Sequence, residues 1–243
     1  MAKAPNGWKK RDEQMNITVP VQTGHVHIAL EESDKLHVLH PKSIIAYQGD
    51  PESREDRFMD LAGMYRKKRW IRSLLSGPSE FILGLPAGCS LETVHIDEKS
   101  DLLFDFRHVI FFSDGMKLKS VIQKLKNAWI TKEFVRMRFS GPGSLGIITA
   151  GDMKAIELQP DRPLYVETGA LVAYPENASI QLSVYGNKLA SQHMNVQWEI
   201  RGSGPVLIQT GSRDSELEEQ LQNGGFIRRI LREVLPFGGI YIK

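Results

Sequence analysis

The sequence predicts an all-β protein made of three similar modules that pack together as one body, followed by a C-terminal helical segment. Glycines that begin or end similar blocks recur at intervals of roughly 60 residues, at Gly24, Gly88, Gly151 and Gly211. Similar short apolar runs follow in each block. No Pro/Ser-rich or low-complexity linker separates the blocks. The pattern therefore predicts an internal repeat.

The predicted modules span residues 17–88, 89–151 and 152–211. A polar arm at 1–16 precedes them, and a tail at 212–243 follows. A domain of about 60 residues buries too little surface to be stable alone. We therefore expect the three modules to pack on one another with pseudo-threefold symmetry, as a single body.

Each module opens with a short apolar run, at residues 26–30, 94–96 and 156–158. A second, longer run begins six residues after the first ends, at 36–47, 102–112 and 164–174. The first of these longer runs contains one extra residue, which we expect to form a β-bulge. The runs are rich in Val, Ile, Leu, Thr, Tyr and Phe with period-2 alternation, which is typical of half-buried strands.

Each module closes with a Gly/Pro turn that leads into a further apolar strand, at residues 76–78, 141–143 and 202–205. Gly, Pro, Asp and Asn bound the runs, as they bound strands and hairpins in general. The complete pattern predicts about five short strands in each module.

The tail is predicted to be helical from 212 to 235, because Ser215 and Glu218 form a capping box. A break at 223–225 separates a second helix, which is amphipathic. Its apolar face includes Phe226 and Ile230, and its basic face is formed by Arg228, Arg229 and Arg232. These faces suit an anionic membrane surface. They equally suit a helix that caps the β body or docks on a neighbouring subunit, and a short amphipathic helix more commonly packs against protein.

The densest basic cluster consists of Arg66, Lys67, Lys68 and Arg69. It precedes Trp70, so the cluster would suit phosphate binding with base stacking. Acidic residues between 52 and 60 neutralise this region, which favours a solvated loop. A nucleic-acid partner is therefore an alternative that the pattern does not favour.

Composition excludes several classes of protein. The chain has 243 residues, 41% of them hydrophobic, and a formal net charge of +2. Its single cysteine excludes an intramolecular disulfide and fits a reducing compartment. The first residues show no apolar signal-peptide core, and no apolar stretch reaches the roughly 20 residues that a membrane helix needs. We therefore expect a cytoplasmic protein.

Three motifs suggest chemistry, and each has a structural interpretation. Residues 141–146 match the G-x-G-x-x-G pattern, but a strand-like run follows where a dinucleotide site needs a helix. His25 and His27 share one face of a strand and would suit a metal, although no third ligand is evident. Cys89 has no recognisable catalytic partner. The sequence therefore predicts no catalytic residue, metal or cofactor, and leaves open whether His25 and His27 bind a metal.

Residues 164–174 (LYVETGALVAY) and 202–210 (GSGPVLIQT) resemble the signature of the altered-inheritance-of-mitochondria, member twenty-four, family. The resemblance extends over roughly residues 20–211. It implies three consecutive β-roll modules similar to the tryptophan RNA-binding attenuation protein, and a tendency to form homotrimers. The fungal mitochondrial relatives are implicated in inner-membrane organisation. No catalytic residues are known for the family, so the resemblance assigns none here.

The sequence and this resemblance together predict a non-enzymatic, oligomeric β-scaffold or interaction protein, with a trimer as the favoured assembly. One alternative is a peripheral protein that binds anionic lipid through the C-terminal helix. Another is an RNA-binding module, which depends on fold analogy and on the basic cluster.

Overall fold

The structure is a computed structural model that describes residues 16–18, 24–59, 70–96, 101–122, 135–185 and 195–211. The described residues form nineteen β-strands and two short 3-10 helices, Pro41–Ser43 and Pro51–Ser53. The all-β prediction is confirmed for this part of the chain. Among these residues there is no helix with the length and apolar character to span a bilayer.

The strands follow one another closely along the chain. Strands β1 to β7 are Asn16–Thr18, His25–Leu30, Lys35–Val38, Ile44–Gly49, Arg54–Met59, Trp70–Ser76 and Ser79–Gly84. Strands β8 to β13 are Cys89–Ile96, Leu102–Asp105, Val109–Ser113, Lys117–Ile122, Val135–Ser140 and Gly143–Ala150. Strands β14 to β19 are Met153–Leu158, Leu164–Glu167, Leu171–Pro175, Ser179–Tyr185, Asn195–Arg201 and Gly204–Gln209.

The strands form four antiparallel sheets. A four-stranded sheet has the order β1-β2-β7-β4, and a three-stranded sheet has the order β15-β18-β17. Between them in chain order are two six-stranded sheets, β5-β6-β3-β10-β13-β8 and β11-β12-β9-β16-β19-β14.

The strand orders contain a recurring arrangement. The neighbours β2-β7-β4 correspond in chain order to β8-β13-β10 and to β14-β19-β16, with a step of six strands. The neighbours β5-β6-β3 correspond in the same way to β11-β12-β9 and β17-β18-β15. Each six-stranded sheet forms where two such groups meet, through β3 with β10 and through β9 with β16.

The predicted run at 36–47 is two strands, β3 and β4, and the runs at 102–112 and 164–174 are divided in the same way. The sequence pattern did not separate the two strands, because no glycine marks the reversal in the first two runs. The extra residue of the first run lies in the connection that contains the 3-10 helix Pro41–Ser43. The Gly/Pro turns were placed correctly, since they join β6 to β7, β12 to β13 and β18 to β19.

The buried apolar side chains form three clusters. The first core contains residues of β2, β3, β6 and β7, together with Ile110 and Phe111 of β10. The second core is centred on β9, β10, β12 and β13, and includes Val172 and Ala173 of β16. The third core is centred on β16, β17 and β18, and includes Leu103 of β9. Among the described strands β3 pairs with β10 and β9 pairs with β16, whereas β15 and β4 are not paired with each other, so the strand groups form an open series with the second core in the middle.

Candidate functional site

Two of the predicted surfaces lie outside the described residues. These are the tail face with Phe226, Arg228, Arg229, Ile230 and Arg232, and the basic cluster Arg66, Lys67, Lys68 and Arg69. The lipid-binding and RNA-binding alternatives depend on these surfaces, so both stay predictions.

The histidine pair lies on β2, the strand next to β7. His27 Nε2 is 3.3 Å from Glu80 Oε2, and both side chains are about half exposed. Within the described ranges no group of three or more His, Cys, Asp and Glu side chains is arranged to hold a metal ion. The visible partner of His27 is therefore a cross-strand carboxylate.

The glycine-rich motif at 141–146 is the turn between β12 and β13, and Gly143 is already the first residue of β13. Because a strand follows the motif, it offers no helix N-terminus to a pyrophosphate. The dinucleotide interpretation therefore has no structural support. Cys89, at the start of β8, is a partly buried thiol that lies opposite Ala150 of β13.

Polar side chains are buried where β3 meets β10. His37 of β3 is 5% exposed and stacks on the Phe112 ring with the centroids 4.7 Å apart. Its Nε2 lies 2.7 Å from Asp114 Oδ1, while its Nδ1 is buried without a hydrogen-bond partner in the described part of the chain. Burial and the charge of Arg72 lower the pKa of His37, although the Asp114 carboxylate opposes this effect. The imidazole is therefore neutral at pH 7 and links the two strand groups.

A buried ion pair lies where β9 meets β12 and β16. Asp105 and Arg136 are each 4% exposed, and the Arg136 Nη1 donates to Asp105 Oδ2. Arg107 donates to the same carboxylate, through Nη2 at 2.9 Å. Burial alone would raise the pKa of Asp105, but the charge of Arg136 and the hydrogen bond from Arg107 lower it far below its usual range. The Arg136 guanidinium lies 5.6 Å from the centre of the Tyr174 ring on β16, so the pair also supports this junction.

The strands β4, β10 and β16 share a bulge. Their registers shift between Ile44 and Ala46, between Val109 and Phe111, and between Leu171 and Ala173. The extra residues are Ile45, Ile110 and Val172. Ile110 and Val172 are buried, whereas Ile45 is 65% exposed. The difference follows from the sheet order, because β10 and β16 each have a strand on both sides whereas β4 is the last described strand of its sheet.

The strand β15 presents a similar contrast at the other end of the series. It is the last described strand of its sheet, whereas its counterparts β3 and β9 lie inside six-stranded sheets. Tyr165 of β15 is 49% exposed, while His37 of β3 and Leu103 of β9 are buried.

Exposed strand edges can pair with another chain, and proteins usually protect them with charged side chains. The residues of β4, IIAYQG, include no charged side chain. These two edges are therefore the candidate interaction surface.

A shallow depression of about 450 Å³ adjoins one end of β4, and its lining residues are Tyr47, Gly49, Pro51, Arg54 and Asp56. The Tyr47 hydroxyl donates to the Asp50 carbonyl at 3.0 Å, which closes the turn after β4. Arg54 Nε lies 3.9 Å from Asp56 Oδ1. Since these charged groups neutralise each other at an open surface, the depression is better suited to contact with a protein surface than to enclosing a small substrate.

Sequence reasoning missed both edges. Ile45, Ile110 and Val172 occupy similar places in similar runs, so the sequence alone does not distinguish the exposed residue from the buried ones. One signal was available, since β4 lies in the first predicted module and β15 in the last. A linear series of paired strand groups leaves one edge unpaired at each end of the described series.

Comparisons with known proteins agree with this architecture. The family model described as Mitochondrial biogenesis AIM24 matches residues 15–211. The curated proteins include no match to the chain. Among solved structures, the crystal structure of the protein SPYM3_0169 from Streptococcus pyogenes is similar, with a TM-score of 0.59 and 18% sequence identity. The match covers 90% of this chain and 100% of that chain, and at this identity it shows similarity of fold. Because the family model covers most of the chain, the protein belongs to the Mitochondrial biogenesis AIM24 family.

Proposed function

We propose that this protein is a non-enzymatic β-scaffold that acts as a homo-oligomer, with a trimer as the favoured assembly. The observation that carries the proposal is the pair of uncharged or weakly charged edges, β4 and β15, with the exposed apolar residues Ile45 and Tyr165. Oligomer formation would bury these residues and would satisfy the open backbone groups of both edges.

The proposal includes three modules, at residues 17–88, 89–151 and 152–211, each similar to the tryptophan RNA-binding attenuation protein. The recurrence of the strand order with a step of six strands supports this division. The bulges at Ile45, Ile110 and Val172 support it independently, because bulges are specific local features rather than general properties of sheets.

A scaffold role is also consistent with where the charged side chains are placed. Asp105 and Arg136 are buried against each other between strands, and His37 is enclosed between Phe112 and Asp114. In these positions they join strand groups instead of facing a cavity that would admit a substrate. We infer that the buried polar groups specify how the modules pair.

Light scattering coupled to size-exclusion chromatography of the full chain tests the oligomeric state. The proposal predicts one discrete species with three times the mass of the chain over a tenfold range of protein concentration. A different discrete oligomer would correct the number of copies, and a monomer at all concentrations would overturn the proposed assembly.

A further inference from the structure

We propose that the oligomer forms head to tail, with β15 of one copy adding as an antiparallel strand to β4 of a second copy. This inference depends on the proposed oligomeric function and names the surface and the partner. The partner is a second copy of this chain because each copy carries both halves of a junction that is already formed twice within the chain.

The two internal junctions have the same register. In the first, Val38 lies opposite Phe111 and His37 lies opposite Phe112. In the second, Phe104 lies opposite Ala173 and Leu103 lies opposite Tyr174.

The registers within each strand group identify the equivalent residues of the open edges. Ala46 pairs with Ile82 directly after its bulge, as Phe111 pairs with Gly146 and Ala173 with Leu207. Tyr47 is then the equivalent of Phe112 and Tyr174, so all three positions carry an aromatic ring.

On the other edge, Leu164 pairs with Ile200 just as Leu36 pairs with Leu75, which makes Tyr165 the equivalent of His37 and Leu103. The junction between copies therefore places Tyr165 opposite Tyr47 and Val166 opposite Ala46.

The cores explain why the exposed residues are apolar. Ile110, the bulge residue of β10, packs into the first core, and Val172, the bulge residue of β16, packs into the second core. In both cases the bulge residue enters the core of the preceding group of strands. Among the described strands no group precedes that of Ile45, so in the proposed junction Ile45 enters the third core of the second copy. Burial of this apolar side chain stabilises each junction.

The head-to-tail contact is heterologous, since it uses different surfaces of the two copies. A series of such contacts either closes into a ring or extends as a fibre. Main-chain hydrogen bonds provide the affinity of an added strand, and the side-chain pockets determine its register. Here those pockets would accept Ile45 from one side and Tyr165 from the other.

Disulfide cross-linking between differently tagged copies tests the register. The single cysteine is first removed as Cys89→Ser, and Tyr47→Cys and Tyr165→Cys are introduced into separate chains that are co-expressed. Directly opposite residues have Cβ atoms close enough for a disulfide bond, or for a short bifunctional cross-linker that reacts with thiols. We expect a covalent dimer that contains both tags, in a yield about tenfold above that of a control pair, Phe58→Cys with Tyr165→Cys.

Light scattering of the same samples separates the possible failures. An oligomer without the Tyr47–Tyr165 cross-link would overturn the head-to-tail junction and leave the proposed oligomer standing. A monomer would overturn both. A chain that carries Tyr47→Cys and Tyr165→Cys together and cross-links only within itself would show that the series closes inside one copy, which also overturns the proposal.

Discussion

The Phe111 ring occupies the space that a side chain at Gly146 would need. A Cβ atom at position 146 would lie 2.3 Å from Cε1 of this ring. The two residues lie directly opposite each other on β10 and β13. At the equivalent place on β16 and β19, the pair is Ala173 opposite Leu207. The large and small residues are therefore exchanged between the two strands, and in each pair one large side chain fills the space.

This exchange predicts a compensating pair of substitutions. We expect Gly146→Leu to destabilise the protein by about 3 kcal/mol because the new side chain collides with a buried ring. Phe111→Ala alone leaves a cavity and costs about 4 kcal/mol. The double variant recreates the pair found at 173 and 207, so it should be more stable than the sum of the two losses by about 2 kcal/mol. Urea unfolding of all four proteins measures this coupling, and strict additivity would contradict the packing argument.

The buried ion pair predicts a large effect of one isosteric change. Asp105→Asn would remove the carboxylate that neutralises the buried guanidinium of Arg136, and we expect a loss of about 3 kcal/mol in the free energy of unfolding. Glu55→Gln is the matched control, because Glu55 pairs with Arg57 at an exposed surface. We expect no measurable change for the control. Equal effects of the two substitutions in denaturant titrations would show that burial does not determine the value of these pairs.

The environment of His37 predicts that stability decreases at mildly acidic pH. Burial, together with the charge of Arg72, lowers the pKa of His37 below its usual 6.5, against the effect of Asp114. The unfolded chain therefore takes up this proton at a higher pH than the folded protein. The contribution is fully present above about pH 6.5, and it is lost as the pH falls through the lower pKa of the folded state.

The variant His37→Leu introduces the residue found at the equivalent position of β9, Leu103, and removes this titration. We expect its unfolding midpoint to fall less than that of the wild type between about pH 7.5 and about pH 5.5. His27→Leu, at a half-exposed site, controls for the loss of an imidazole. If the wild type and His37→Leu lose the same stability over this range, His37 does not contribute to the pH dependence.

Local patterns in the sequence were sufficient to predict the all-β fold class and the positions of the Gly/Pro turns. The turn at 141–143 is visible because glycine and proline mark it, and the alternation of apolar residues identifies the strands beside it. The pairing of strands that are distant in the sequence is not a local property. His37 and Asp114 are 77 residues apart, and nothing near either residue indicates the contact.

The burial of individual side chains could not be predicted from the local sequence either. Leu39, Asp105 and Glu167 occupy equivalent places at the C-terminal ends of β3, β9 and β15, yet their surroundings are an apolar core, a buried ion pair and an exposed edge. Neighbouring strands determine these environments, and the neighbours come from distant parts of the chain. The candidate surface is defined by the difference between β4 and β15, which are the last described strands of their sheets, and their paired equivalents, and this difference is not local in the sequence.

The exposed residue Ile45 provides a direct test of assembly by substitution. Ile45→Lys places a charge at the position that the head-to-tail junction would bury, so we expect the oligomer to dissociate to monomers. Phe58→Lys is the matched control, since Phe58 is 61% exposed and lies on β5, outside both edges. The control should keep the wild-type mass in light scattering. Because Ile45 is already exposed in the single chain, neither change should lower the thermal midpoint of the monomer by much. Retention of the oligomer by Ile45→Lys would show that β4 is not part of the interface.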